Sequence, residues 1–378
     1  MDPISLAAVA VLFVSFVVGD AALYGNSLFV HLDVPTSVSD RGFTQDAAEG
    51  TFANEIGRYA RAEPIVPTPS VQTSTTPSLP LVIARPFQMA DVVHALQANV
   101  RSDLVSVTGS VIAAPAGSQL TIDIFVTNPP DPPSEHVLVR EDGDARLLVR
   151  SAARVTMEKA APYRVALTDM HAALDGDKGR FELARKTAVF GLTQAPDPSV
   201  PGRSELVMLH NLLAVLALRD GDEVAASGHI SHALSISGAA YAAYGIVTLN
   251  RAFMAVIDRQ PAQAMRLLRT GMEQTRSIKM PAFTACISEL RGIVALSAGR
   301  SAEAEQSFRF ALDIAPDEQV AHHYLAGILA ARGDKEGAAA ELAASMEKQR
   351  PEWRVPSLAH TIVLVDPISG EVIATAKP

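Results

Sequence analysis

The stretch that decides the fold runs from Arg291 to Pro316 and reads RGIVALSAGRSAEAEQSFRFALDIAP. Small and large residues recur in it at the spacing of two antiparallel helices joined by a turn. The small residue Gly292 would let the helices approach closely, and Phe308 would fill the space between neighbouring hairpins. Pro316 would end the second helix because its nitrogen has no proton for the helical ladder. The sequence therefore predicts a helical hairpin.

The hairpin pattern returns along the chain. A step of 34 residues separates Ala304 from Ala338, and the same step carries the turn glycine from Gly299 to Gly333. Upstream, the corresponding alanines stand at positions 184, 226 and 264, so that the successive steps are 42, 38, 40 and 34 residues. Arg259 occupies the place of a turn glycine in one unit. A series of stacked hairpins with longer early members is therefore expected.

This arrangement resembles the tetratricopeptide repeat, in which a small residue of the first helix is followed by A-x3-F-x2-A in the second helix and then by Pro. The resemblance covers residues 150–350 and is clearest at 282–350, although the aromatic residue usual early in the first helix is missing. It implies a helical solenoid that binds proteins or peptides and catalyses nothing. For the earlier part, an irregular helical solenoid is the alternative.

The repeat register also predicts which side chains would line the concave face of such a solenoid. Four positions of each first helix face inward, which gives a groove of six residues: Asn211, Leu249, Phe253, Glu289, Ile293 and His323. Their mixed, largely apolar character favours an extended or helical peptide as the ligand over a phosphate or an acidic tail. The alternative is that several of them only pack against the next helix.

Residues 27–149 predict a small α/β domain, because segments with strand alternation and segments with helical spacing follow one another. The expected elements are a strand at 27–34, a helix from residue 44, a strand at 63–66, a Pro-, Ser- and Thr-rich loop at 67–86, a helix at 89–100 and a hairpin at 104–113 and 119–127. This order, with Gly109 and the alternating return strand, resembles the amino-terminal domain of TolB-type envelope proteins over residues 27–128. The resemblance implies an envelope protein with a docking domain, and it does not imply a catalytic site.

Residues 1–24 predict a membrane anchor or a signal segment. The run from Ile4 to Val18 is almost wholly apolar, but it is shorter than the roughly 20 residues of a spanning helix unless it continues to Tyr24. We expect an uncleaved single-pass anchor with the bulk of the chain outside the cytoplasm, in the periplasm or its equivalent. A cleaved signal, giving an exported soluble protein, and a buried helix are the alternatives, and Gly19-Asp20-Ala21 offers small residues for cleavage.

Charge is distributed unevenly and argues against nucleic acid as the partner. The net charge is −9; residues 1–149 carry 7 basic and 16 acidic side chains, whereas residues 150–350 carry 23 and 22. Neither part forms a basic platform for a polyanion. The single cysteine, Cys286, allows no internal disulfide and is expected in the core.

The sequence contains no recognisable catalytic or cofactor-binding motif, so we expect no enzyme activity and no cofactor. His229 and His232 are three residues apart, but no carboxylate or cysteine completes a metal-ligand set, and solvated surface histidines are expected. No metal site is predicted.

The tail, residues 351–378, contains two β-runs that predict a hairpin docked on the sheet or the last helix pair, with a free tail as the alternative. The expected fold is thus α+β: an anchor or signal helix, a small α/β domain, a tetratricopeptide-like solenoid and this hairpin. The expected function is a non-catalytic scaffold, membrane-tethered or exported, that binds a protein or peptide. The alternative is an envelope sensor whose α/β domain binds a small molecule or glycan, which a deep apolar pocket within residues 27–128 would favour.

Overall fold

The computed structural model describes residues 27–60, 70–72, 105–113, 120–127, 134–140, 144–174, 177–193, 203–279, 281–316 and 318–346. The chain divides into two compact units, residues 1–165 and 166–378. The α+β class is confirmed, since the described residues form one sheet and thirteen helices. Among the described helices, none is long and apolar enough to cross a bilayer. The predicted anchor at 1–24 and the predicted hairpin within 351–378 lie outside the described residues.

The first unit is built on a mixed sheet of five strands: β1 Ser27–Asp33, β2 Ser70–Gln72, β3 Val105–Ala113, β4 Leu120–Thr127 and β5 Ser134–Arg140. Their order in the sheet is β2-β1-β3-β4-β5. Strand β1 runs parallel to both β2 and β3, whereas β3, β4 and β5 form an antiparallel meander, which confirms the predicted β3–β4 pairing.

One face of the sheet carries the core of this unit. The helices of the unit are α1 Thr36–Ser39, α2 Gln45–Ala60 and α3 Ala145–Ala160. Strand alternation points Val30, Val107 and Ile122 toward α2 and α3, and all three are buried. On the opposite face, Val137 and Val139 are about half exposed, at 56% and 51%.

Three sequence-based expectations for this unit differ from the structure. Strand β2 lies at 70–72, inside the segment predicted as a loop (67–86), while the predicted strand at 63–66 and helix at 89–100 lie outside the described residues. Strand β5 was not predicted. The boundary falls at residue 165 instead of 149, because helix α3 packs its buried face on the sheet and belongs to the first unit.

The second unit is a series of helical hairpins. Helices α4 Pro162–Leu174 and α5 Arg180–Thr193 come first, with α4 straddling the unit boundary, and Arg180 Nη1 lies 2.7 Å from Asp169 Oδ1. Four hairpins follow: α6 Arg203–Arg219 with α7 Glu223–Ser235, α8 Tyr241–Ile257 with α9 Pro261–Gln274, α10 Pro281–Ser297 with α11 Ser301–Ile314, and α12 Gln319–Ala331 with α13 Lys335–Met346. The two helices of each hairpin contact one another, and each first helix also contacts the next first helix. Adjacent hairpins therefore pack in a repeat-like series.

The packing within and between hairpins involves the small and large residues of the predicted repeat pattern. The five repeat alanines at 184, 226, 264, 304 and 338 are buried. A Cβ added at Gly292 would lie 2.6 Å from the ring of Phe308, so only glycine fits at this contact between α10 and α11. The Phe308 ring stacks on Tyr324 of α12, with centroids 5.3 Å apart. The predicted role of Phe308 between neighbouring hairpins is confirmed.

The turns within the hairpins share a left-handed residue. Gly221, Gly299 and Gly333 have φ of 78°, 73° and 88°, and Arg259 takes the same place in the α8–α9 turn with φ of 56°. A side chain in this region strains the backbone, whereas glycine adopts it freely. Arg259 therefore carries strain that the other three turns avoid.

We expect Arg259→Gly to raise the free energy of unfolding by about 0.5–1 kcal/mol, because it removes this strain. Gly299→Ala is the matched control, since it places a Cβ at positive φ in open space and should lower stability by a similar amount. Urea unfolding with an unchanged m-value measures both. An unchanged or lower midpoint for Arg259→Gly would mean that contacts of the arginine side chain outweigh the backbone strain.

Candidate protein-binding surface

Five of the six residues predicted to line a groove are buried in the structure. Asn211 and Leu249 are 0% exposed, Glu289 is 3% exposed, and Phe253 and Ile293 are each 5% exposed. Side chains this deeply buried stabilise the packing of the helices and offer little surface to a partner. Their burial favours the packing alternative for these positions, and a groove formed by them stays a prediction.

Two of these residues make identifiable contacts between helices. Asn250 on α8 donates a hydrogen bond from Nδ2 to Oδ1 of Asn211 on α6, at 2.6 Å. The side chain of Leu249 packs closely against Gly271 of α9, since a Cβ added at that glycine would lie only 2.7 Å from it. The Asn250–Asn211 contact joins successive hairpins, and the Leu249–Gly271 contact packs together the two helices of one hairpin. A buried polar pair of this kind is stabilising only while both partners are present.

Glu289 has a structural role at the next hairpin. Its Oε1 accepts a hydrogen bond of 3.1 Å from the backbone N–H of Ala321, one of the amides at the start of α12 that lack a helical acceptor. Burial raises the pKa of this carboxyl well above its usual range, the charge of Glu318 raises it further, and the Ala321 hydrogen bond opposes both. Glu289 therefore tends to keep its proton in the folded chain.

Cys286 lies one helical turn before Glu289 and is also buried, as expected from the sequence. Desolvation raises the pKa of its thiol well above the usual value, and the charges of Glu289 and Glu318 raise it further. A buried, protonated thiol is a poor nucleophile, so this residue is a packing element.

His323 is the member of the predicted set that faces a cavity. It lines a space of about 520 Å³ between the end of α10, the start of α11 and α12, together with Tyr324, Gly327 and Arg332. The adjacent His322 has another role: its Nδ1 lies 2.5 Å from Glu341 Oε2, which links α12 to α13. The two neighbours thus point to different environments, as expected for adjacent residues of a helix.

A larger cavity, of about 990 Å³, opens beside the first one. It is lined by the end of α9, the first half of α10 and one side of α11, and the two cavities share Ala302 and Glu305. Phe310, which is 50% exposed, lies in this cavity, whereas Phe308 two residues earlier is fully buried. We call this space the α9–α11 cleft. Its volume lies at the upper end of the range of small-ligand pockets and would admit side chains of a peptide.

The structure also brings together three histidines that the sequence does not group. His210 on α6 meets His229 and His232 on α7: its Nδ1 lies 3.2 Å from His229 Nδ1, and its ring centroid lies 5.4 Å from that of His232. Burial, followed by the charges of His229 and His232, lowers the pKa of His210 to about 4. His229 and His232 are therefore part of an interhelical cluster, and the expectation of two solvated surface histidines is wrong for His229, which is partly buried.

Within the described ranges, no three side chains of His, Cys, Asp or Glu lie where they could hold one metal ion. No model of a known protein family matches the chain, and no curated protein is significantly similar to it.

Proposed function

We propose that this chain is a non-catalytic scaffold that binds a protein or peptide partner through its tetratricopeptide-like helical hairpins. The observation that carries the proposal is the α9–α11 cleft, a large open space between successive hairpins with a half-exposed phenylalanine on its wall. Phe310 shares the wall of the cleft with Met272, which is also exposed, and adjoining exposed apolar side chains are typical of a surface that a partner covers. The sequence adds the repeat pattern, which is typical of binding modules.

A photocrosslinking experiment tests this function. We expect a photoreactive phenylalanine analogue at position 310 to crosslink a discrete partner in cells. The control is the same analogue at Val224 on α7, which is 85% exposed and does not line either cavity. Crosslinking at both positions alike, or at neither, would contradict binding at the cleft.

The scaffold is further proposed to be tethered to a membrane or exported through its N-terminal apolar run, Ile4 to Val18. A reporter enzyme that is active only outside the cytoplasm, fused after residue 30, should then be active. Resistance of the full chain to alkaline extraction from membranes would distinguish the tether from a cleaved signal. An inactive reporter would contradict both.

A further inference from the structure

The α9–α11 cleft combines an apolar wall with exposed basic side chains. Phe310 and Met272 are 50% and 37% exposed, and Ile287 and Ile278 are half-buried beside them. Phe310 follows the buried Phe308 by two residues and so faces away from the hairpin core. A docked apolar side chain would bury this surface, and the removal of apolar surface from water favours binding.

The basic side chains of the cleft are incompletely paired. Arg276 and Lys279, which follow α9, are exposed and form no ion pair within the described part of the chain. Arg291 lies 3.5 Å from Glu303, and that contact leaves it 48% exposed. Three basic groups thus reach solvent around the apolar wall.

The acidic side chains of the cleft offset this charge only in part. Glu305 is held by Arg309, at 2.9 Å, and by Arg332. The hydrogen bond from Arg309, and then the one from Arg332, keep the pKa of the Glu305 carboxyl below its usual value, so its charge is engaged by the protein itself. Asp313 is the remaining acidic residue of the lining. The cleft therefore has an excess of positive charge in a chain whose net charge is −9.

We propose that the α9–α11 cleft binds an acidic peptide segment that carries an apolar anchor side chain. This inference rests on the proposed function and names the chemistry of its partner. The anchor packs on Phe310, while carboxylates of the peptide pair with Arg276 and Lys279. It replaces, for this surface, the sequence-based expectation that acidic ligands are disfavoured, because that expectation rested on residues that are buried. A nucleic acid fits less well, since the chain is acidic overall and one wall of the cleft is apolar.

Selection from a random library tests the proposal without knowledge of the natural partner. Random 12-residue peptides displayed on phage are selected against the full chain, and the best binder is synthesised with a fluorescent label. We expect the selected peptides to be enriched in Asp and Glu next to Leu or an aromatic residue. Fluorescence anisotropy should show binding that weakens as salt rises, because exposed charges are screened.

Charge reversal then locates the site. R276E/K279E should raise the Kd at least tenfold, whereas R266E/R269E, the same charge change on exposed residues of α9 outside the cleft, should alter it less than twofold. Equal melting temperatures would establish that all variants are folded. Enriched peptides that are not acidic, or that ignore R276E/K279E, would overturn the cleft assignment and leave peptide binding by the hairpins intact. Failure to enrich any peptide would overturn both proposals. If a labelled oligothymidylate binds the wild-type chain as tightly as the selected peptide does, and R276E/K279E abolishes that binding, the cleft would be assigned to nucleic acid instead.

Discussion

Phe308→Ala should lower the free energy of unfolding of the helical unit by about 3–5 kcal/mol, the usual range for removing a fully buried phenylalanine. Phe308 is 0% exposed, fits against Gly292 of α10, and stacks on Tyr324 of α12. The substitution removes contacts within one hairpin and between two hairpins at once. Since the neighbouring glycine has no side chain with which to fill the space, the resulting cavity cannot close easily.

The matched control is Phe310→Ala on the same helix. Phe310 is 50% exposed, so its loss should change stability by less than about 1 kcal/mol. Urea unfolding followed by far-ultraviolet circular dichroism measures both variants. Similar midpoints for the two would contradict the assignment of Phe308 to the core and of Phe310 to a surface. The same two variants distinguish an effect on stability from an effect on binding. Phe310→Ala should weaken the binding of the selected peptide while the chain stays folded, whereas Phe308→Ala should destabilise the helices that form the site.

The hairpin architecture could be predicted from the sequence because its determinants are local and repeated. A small residue at each close approach, such as Gly292 or Ala304, and a left-handed turn residue, such as Gly299, recur along the chain, and the repeat alanines are separated by steps of 34 to 42 residues. Strand β5 was not predicted because its local sequence pattern is not that of a half-buried strand. Its outward side chains, Val137 and Val139, are apolar, and proline-rich sequence precedes it, so the alternation of a half-buried strand is obscured.

The candidate surface could not be predicted because it depends on how hairpins are stacked. Glu289 and Ile293 occupy first-helix positions that either face a partner or face the next helix, and only the packing of α10 on its neighbours decides between the two. The α9–α11 cleft draws on three helices, and the histidine cluster joins His210 to residues 19 and 22 positions later. No spacing rule within one helix contains such information.

The partly buried His210 and the buried Glu289 should change the stability of the fold in opposite directions as the pH changes. His210 has its pKa lowered to about 4, so the stability it contributes is present above its ordinary value of 6.5 and is lost as the pH falls toward 4. Glu289 has its pKa raised, so its contribution is present below its ordinary value of 4.5 and is lost as the pH rises toward the raised value. The wild-type chain should therefore lose stability in both directions.

Glu289→Gln should remove the loss at high pH. Glutamine keeps an oxygen that can accept from the Ala321 N–H, but it has no charge to be expelled from the interior next to Glu318. The stability difference between Glu289→Gln and wild type should grow with pH above 4.5, by at most about 1.4 kcal/mol per pH unit, which is the linkage of one proton. Urea unfolding at intervals from pH 4 to pH 9 measures this difference, in which the titration of groups that do not interact with Glu289 cancels.

His210→Asn is the control for the opposite limb. It keeps a polar atom near His229 but cannot take up a proton, so its stability relative to wild type should rise below pH 6.5 and stay constant above. Because His210 is partly open to solvent, this gain should be about 1–2 kcal/mol.

If Glu289→Gln parallels wild type from pH 4.5 to 9, the buried carboxyl is already ionised in the fold. Glu289 would then act as a charged cap on α12, which glutamine could not replace without loss of stability.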